Sequence, residues 1–370
     1  QFALDWMKDD SSMLGGKLLA PNTNALVNIL FPGTSAIAPL DDRYDIRSGM
    51  RNENSTEMKG GSVTVNWRPS DNWVLKYVAA LRESDTVTAI DFDMLPAKIA
   101  DVRAYYSDRQ VSNEFQVNYD AGGRARGVMG LYWFNGDAGG QVLNYFSNPL
   151  APPALTNPLF GDTQGYVNTS SIAAYADWTF DLTDQLKLDV GARYTDEDKH
   201  AVALNRFSTG LDYGTSWGTA ANFDQTLNFK NVSPKVSLDY QVTPDILVYG
   251  LASRGFKSGG YNIRAQATAV PRSAEPFQDE QVDSYEVGTK MGLLDQRLFL
   301  NLSAFHNKYK DIQLSIFTEY TTPQNTKAFF GDFTNAGEGT VNGFEAEYQW
   351  LATDNFTISG NLAWLDAKYD

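Results

Sequence analysis

The sequence predicts an all-β chain, an antiparallel transmembrane β-barrel wall, and three observations carry that prediction. Apolar and polar residues alternate through six pairs of strands, each pair closes through a turn of about four residues, and much longer segments join the other ends. Aromatics are abundant at 13%, with 19 Tyr, 21 Phe and 8 Trp, which suits strands that end in interfacial belts. No run of about 18 apolar residues occurs, so no membrane helix can be drawn. The mean hydropathy of −0.36 does not argue against spanning strands, because only alternate residues of such a strand face lipid.

Residues 1–60 are weakly patterned. Phe2, Leu4 and Trp6 alternate like the end of a strand, and a loop rich in Pro, Gly and Asn, expected on the extracellular side, then runs through Pro21, Asn22, Pro32, Gly33 and Pro39. The first hairpin puts Val63, Val65 and Trp67 on one face, turns at Pro69–Asn72, and returns through Trp73, Leu75, Tyr77, Ala79 and Leu81. The second uses Val111, Phe115, Val117 and Tyr119, then Val128–Phe134. The third uses Ile172, Ala174, Ala176, Trp178 and Phe180, then Leu186, Leu188, Val190, Ala192 and Tyr194. Val232, Val236, Leu238, Tyr240 and Val242 lead through Pro244 into Ile246–Phe256. Tyr285, Val287, Thr289 and Met291 lead into Leu298, Leu300, Leu302 and Ala304. Phe344, Ala346, Tyr348 and Trp350 lead into Phe356, Ile358, Leu362 and Trp364. Six hairpins make about 12 strands of roughly 10–12 residues, the length a tilted strand needs to cross a bilayer.

The connections on the far side, roughly 85–105, 136–169, 196–228, 257–281 and 312–340, are expected to be loops of about 20–30 residues. Opposite the apolar stripe lie Lys187, Asp189 and Arg193, then Lys235 and Asp239, then Glu286 and Lys290, then Glu345 and Glu347. Such a face cannot form a dry core without many paired charges, so it is expected to line a wet or plugged interior. A soluble β-protein with solvated faces is the competing fold, disfavoured by strand length and loop asymmetry together.

The charge balance, 30 Lys plus Arg against 45 Asp plus Glu for a net −15, argues against nucleic acid as a partner. Cysteine is absent, which excludes thiol chemistry and disulfides. Glu345 and Glu347 share a strand face, but on a lumen wall charged residues are ordinary, so no enzymatic activity and no cofactor is expected. Asp196–Asp198 and Asp279, Glu280 and Asp283 lack EF-hand spacing, and His200 and His306, the two histidines, are too far apart in sequence to suggest zinc. No metal site is expected.

The residues Arg254–Asn262 resemble a strand-and-loop signature of TonB-dependent outer-membrane receptors of the iron-complex type. Tyr285–Lys290, Asn335–Gly337 with Val341–Glu347, Gly191–Glu197 and Ser112–Val117 resemble further barrel segments of that family in the same order. The resemblance covers roughly residues 61–370. It implies a Gram-negative outer-membrane location, uptake of a scarce ligand such as a ferric siderophore, and coupling to the TonB complex in the full-length protein. The family barrel has 22 strands and an N-terminal plug, so a chain with about 12 strands, no plug and no TonB box reads as an internal section of a longer protein. The alternatives are a passive or structural barrel channel closing with about 12 strands and a secreted carbohydrate-active enzyme.

Ligand capture is expected on the long loops and upper interior. Candidate aromatics are Tyr145, Phe146, Trp217, Tyr261, Phe329 and Phe330, and candidate cations are Arg254, Lys257, Arg264 and Arg272. Cations among aromatics suit an anionic chelate. The competing role for these residues is contact with outer-membrane lipid, lipopolysaccharide phosphates above all, or packing of loop on loop.

Overall fold

The structure is a computed structural model that describes residues 1–13, 15–21, 33–96, 100–146, 159–208, 217–321 and 327–369. The side chains of Phe146, Trp217 and Phe329 lie outside that description, as do residues 22–32 of the expected N-terminal loop. One antiparallel sheet of 13 strands runs in the order β1 (Phe2–Ser11), β2 (Asn54–Ser70), β3 (Trp73–Asp91), β4 (Ala100–Asp120), β5 (Ala125–Phe146), β6 (Leu159–Asp181), β7 (Leu186–Ser208), β8 (Trp217–Thr243), β9 (Ile246–Lys257), β10 (Glu280–Leu293), β11 (Leu298–Lys310), β14 (Gly339–Thr353) and β15 (Phe356–Tyr369). Between β11 and β14 a separate hairpin is formed by β12 (Gln313–Thr321) and β13 (Lys327–Asn335). All six expected hairpins are present. Two elements exceed the expectation: Phe2, Leu4 and Trp6 belong to a full strand paired with β2, and the segment after Lys310 holds its own hairpin.

The register explains why the alternation was so regular. Trp67 lies opposite Leu75, Leu75 opposite Val117, Val117 opposite Met129, Met129 opposite Ala176 and Ala176 opposite Ala192. Further round, Val236 faces Ala252, Ala252 faces Tyr285, and Leu302 faces Ala346, which faces Leu362. One apolar residue therefore meets another strand after strand, and the belt stays outward, with Val65, Ile172, Val287 and Leu362 all more than half exposed. In water such a surface is untenable; in hydrocarbon it is the solvated state. Rings border the belt on both sides. At the turn side Trp73, Tyr119 and Trp178 follow one another at 4.6 and 6.0 Å, and about eight positions further up stand Trp133, Tyr194, Tyr285 and Trp364.

The strands are longer than expected. β5 has 22 residues, β6 and β7 have 23 each and β8 has 27, so most of 136–169 and 196–228 is ladder rather than loop. Apolar alternation stops where the membrane stops, but pairing does not: Asp137 is opposite Asn168 and Thr169 opposite Lys199. Backbone groups need partners above the membrane as well, and a strand that already has a neighbour supplies them. The sheet is open among the described residues. β1 and β15 each have one neighbour and are not paired with each other, so the chain does not close on itself with about 12 strands.

Between β8 and β9 the ladder covers only Lys235–Thr243 against Ile246–Ser253. It stops at Pro234, which has no N–H to give. Above that point β8 pairs only with β7, and the connection 258–279, with a short 3₁₀ helix at Pro271–Ala274, comes to lie beside it.

Candidate functional site

Counting by two from the belt assigns each strand residue to the outer face or to the inner face opposite it. On β6, β7 and β8 the even-numbered residues from Ile172, Leu186 and Val232 onward carry the belt, so Val167, Ala201, Ala203, Asn205 and Phe223 are inner residues above the membrane. The connection 258–279 folds onto this inner face. Ala265 is fully buried against Ala201, Ala203, Ala221 and Phe223, with Val167, Tyr261, Ala267 and Ala274 around them. Small alanines on the wall let the connection approach, and Gly165 gives space to Ile263, since a Cβ there would stand 2.6 Å from the Ile263 Cβ.

Polar bonds fix the same contact. Asn205 Nδ2 donates to the Ile263 carbonyl at 2.9 Å and to the Ala265 carbonyl at 3.0 Å. Lys199 Nζ donates to the Gly259 carbonyl at 3.0 Å and Asn231 Nδ2 to Asp279 at 2.9 Å. Higher on β8, the Thr268 N–H bonds the Ala220 carbonyl at 2.9 Å, taking an acceptor that β9 does not use.

The β12–β13 hairpin packs on the other side of the connection. Asn262, 1% exposed, donates to the Gly331 carbonyl at 3.0 Å, and Arg272 Nη1 sits 3.1 Å from the Asp332 carboxylate, which Thr318 also reaches at 2.9 Å. Phe277 stacks on Phe333 at 5.9 Å and Tyr320 meets Phe330 edge-on at 5.8 Å. At the hairpin base, Gln313 Nε2 donates to the carbonyls of Lys257, Ser258 and Gln278, and Asn335 binds Gln278 through both its carbonyl oxygen and its amide nitrogen. Two side chains thus tie both ends of the connection to the hairpin.

The structure brings Tyr261, Arg264, Arg272 and Phe330 together and separates the other candidates. Tyr261 lies against Phe223 at 5.6 Å, and burial pushes its hydroxyl above the usual tyrosine range. Arg264 is exposed beside Gly331, its N–H held by Asn262 Oδ1 at 2.9 Å. Phe330 is buried in the hairpin, so it supports the site rather than lining it. Lys257 is exposed at the end of β9. Arg254 lies elsewhere: it shares parity with Val248 and Ala252, faces outward, and pairs with Asp283 at 2.6 Å. Tyr145 lies on β5 opposite Asp101 and Phe160, away from the connection. Phe146, Trp217 and Phe329 end β5, begin β8 and sit in β13 opposite Glu319.

Sequence reasoning missed Asn205, Gln313 and Asp332, whose contacts span more than ten positions and leave no periodic trace. Asn262 and Asn335 were flagged, through the Arg254–Asn262 and Asn335–Gly337 resemblances.

The acidic clusters have protein partners. Asn228 bonds Asp196 and Asp198, Asn231 bonds Asp279, and Arg254 and Lys310 hold Asp283. Asp91, Asp93 and Asp101 lie within 4.8 Å of one another at the β3–β4 turn. There Asp91 accepts from the N–H groups of Gly49 and Met94, and Asp93 from those of Leu95 and Ala100, which caps the turn. His200 pairs with Asp224 and His306 with Asn342.

The family model "TonB dependent receptor-like, beta-barrel" matches residues 3–370. The chain belongs to this family. TonB-dependent receptors of this kind are outer-membrane proteins of Gram-negative bacteria, so the apolar belt sits in that membrane. Among curated relatives, the pesticin receptor of Yersinia enterocolitica is 30% identical over 237 residues, 64% of this chain and 30% of that protein. The metal-pseudopaline receptor CntO of Pseudomonas aeruginosa is 26% identical over 213 residues, 57% of this chain and 26% of that protein. The chain therefore spans under a third of the length of these relatives. The ferric yersiniabactin uptake receptor FyuA of Yersinia pestis shares the fold with a TM-score of 0.67 at 21% identity, over 88% of this chain and 45% of that one. The siderophore receptor PiuA of Acinetobacter baumannii gives 0.59 at 15%, over 86% and 48%.

Proposed function

We propose that this chain is part of the barrel wall of a receptor that captures an iron chelate, such as a ferric siderophore, and passes it inward with energy supplied through TonB. The observation that carries the reading is the packed unit of the 258–279 connection and the β12–β13 hairpin on the inner face of β6–β8. It presents Tyr261, Arg264 and the partly exposed Arg272 beside a lumen wall. Cations beside an aromatic ring match the chemistry of an anionic chelate. Relatives whose names denote siderophore or metal-chelate receptors support the ligand class. The relatives are receptors, which favours transport over hydrolysis.

The test measures binding of ⁵⁵Fe-loaded citrate, hydroxamate and catecholate chelates to outer membranes containing the full-length protein. At least one chelate is expected to bind above control membranes, with affinity falling about tenfold in Arg264→Ala. No binding by any chelate, together with ion conductance in planar bilayers, would favour the passive channel.

A further inference from the structure

The outer face of β9–β11 carries a feature that ligand uptake does not use. Directly above the ring pair Tyr285–His306, whose centroids are 6.4 Å apart, a single register line runs Arg254, Asp283, Lys308, Thr340, Lys368 across five neighbouring strands. All five share parity with the belt and so point outward, beginning with Arg254 level with the upper rings and reaching beyond them at Thr340 and Lys368. Lys310 stands one step higher on the same face, 3.5 Å from Asp283. Four cations here meet three carboxylates: Arg254 and Lys310 share Asp283, Lys308 takes Glu338 at 2.9 Å and Lys368 takes Asp366 at 2.6 Å. The side chains of Arg254, Lys308 and Lys310 remain 39–46% exposed. On the same face at comparable height β3, β5 and β7 instead carry Glu83, Asp85, Asp137, Asp196 and Asp198, with Arg109 and Lys230 against them. The cationic excess is thus local, in a chain whose net charge is −15.

Immediately below, the belt has a groove. Its floor is Gly250, Ala252 and Ala304, and its walls are Leu238, Val287 and Tyr285. A Cβ on Gly250 would meet nothing within 4 Å, so the floor is open to the membrane. At this depth the occupant must be hydrocarbon, and its polar end emerges beneath the Arg254, Lys308 and Lys310 side chains. Guanidinium and ammonium groups recognise phosphate oxygens.

We propose that this surface is a specific site for a phosphate-bearing, multiply acylated lipid of the outer leaflet, the lipid A moiety of lipopolysaccharide. One acyl chain lies in the Gly250–Ala252–Ala304 groove and a phosphate bridges Arg254, Lys308 and Lys310. The site is separate from the inner face, so it stands or falls apart from chelate uptake.

The experiment reconstitutes the full-length protein in detergent with bisphosphorylated lipid A, with the same lipid after dephosphorylation, and with inorganic phosphate as competitor, and counts retained lipid by native mass spectrometry. The wild-type protein is expected to retain bisphosphorylated lipid A at least about tenfold more than the dephosphorylated form. The triple variant R254Q/K308Q/K310Q is expected to lose that preference. Gly250→Leu fills the groove with a residue suited to lipid-facing strands and is expected to lower retention while keeping heat-modifiable migration, which reports a folded barrel. Equal retention of both lipids by the wild type would overturn the proposal. So would unchanged retention in folded Gly250→Leu, which would mean that no acyl chain is anchored in the groove, or full displacement by inorganic phosphate alone, which would mean that the cations bind free phosphate without an anchored lipid.

Discussion

Asn205, near the top of the seventh strand, donates to the carbonyl of Ala265, sixty positions later in the chain, and the same amide nitrogen also reaches Ile263. This amide is the polar pin beneath the only alanine of the connection that is completely buried in the wall cluster. Replacing Asn205 by Ala removes this donor from two carbonyls, that of Ala265 buried and that of Ile263 part-buried, a local cost of about 1–3 kcal/mol. Asn205→Asp should be worse, because a carboxylate offers oxygens to oxygens. Hydrogen exchange at residues 263–270 should speed up about tenfold in Asn205→Ala and more in Asn205→Asp, with exchange in the membrane strands unchanged.

The Arg272–Asp332 pair holds the connection to the hairpin with one partner buried, Asp332 being 1% exposed, and the other half in solvent. Arg272→Ala strands the carboxylate with Thr318 as its remaining described donor. The expected cost is about 2 kcal/mol, below that of a fully buried pair because Arg272 is solvated. Limited proteolysis between residues 313 and 335 should accelerate in Arg272→Ala. The double replacement with Asp332→Asn should restore most of the resistance, since it removes the stranded charge.

Two glycines of the resemblance segment should respond in opposite ways. A Cβ at Gly259 would stand 2.1 Å from the Phe277 carbonyl oxygen and 2.8 Å from Phe229, so Gly259→Ala must displace backbone. At Gly255 the nearest atom is a Val282 methyl at 3.4 Å, an ordinary contact. Gly259→Ala should break the Gly260–Phe277 bridge and weaken chelate binding at least about tenfold, while Gly255→Ala binds like the parent; equilibrium binding to outer membranes reads both.

Asp137, above the membrane on β5, is held below the usual carboxylate range by hydrogen bonds from Asn168 and Tyr166. A carboxyl whose folded value is depressed stabilises the fold above its ordinary value of 3.8 and loses that contribution as pH falls through the folded value. Exchange protection at the tops of β5 and β6, corrected for intrinsic rates, should be flat from pH 7 to 5 and decline only below about 3.8. Asp137→Asn should abolish the decline.

The six membrane hairpins were legible because hydrocarbon imposes a period of two on residues such as Trp73, Tyr77 and Leu81. Above the membrane that pressure ends: Asp137, Asn168 and Lys199 are polar like loop residues, yet their backbones stay paired. The candidate site was legible only in part. Tyr261, Arg264 and Arg272 follow the glycine pair in sequence, whereas their supports Asn205, Gln313 and Asp332 come from distant strands. Arg254 was readable and was misgrouped with the loop cations. Its parity with Val248, Gly250 and Ala252 already turned it toward the membrane.

Pro234 ends the β8–β9 ladder at Lys235, and the Thr268 N–H takes over the Ala220 carbonyl above it. The wall therefore has a seam that is caulked by the connection rather than stitched by a strand. Any motion that lifts residues 258–279 off the inner face also unseals this seam and strips β8 of a main-chain partner, a penalty of about 1–3 kcal/mol for each buried group exposed without replacement. What happens at the mouth is in this way written directly into the integrity of the wall, without a relay through the membrane strands.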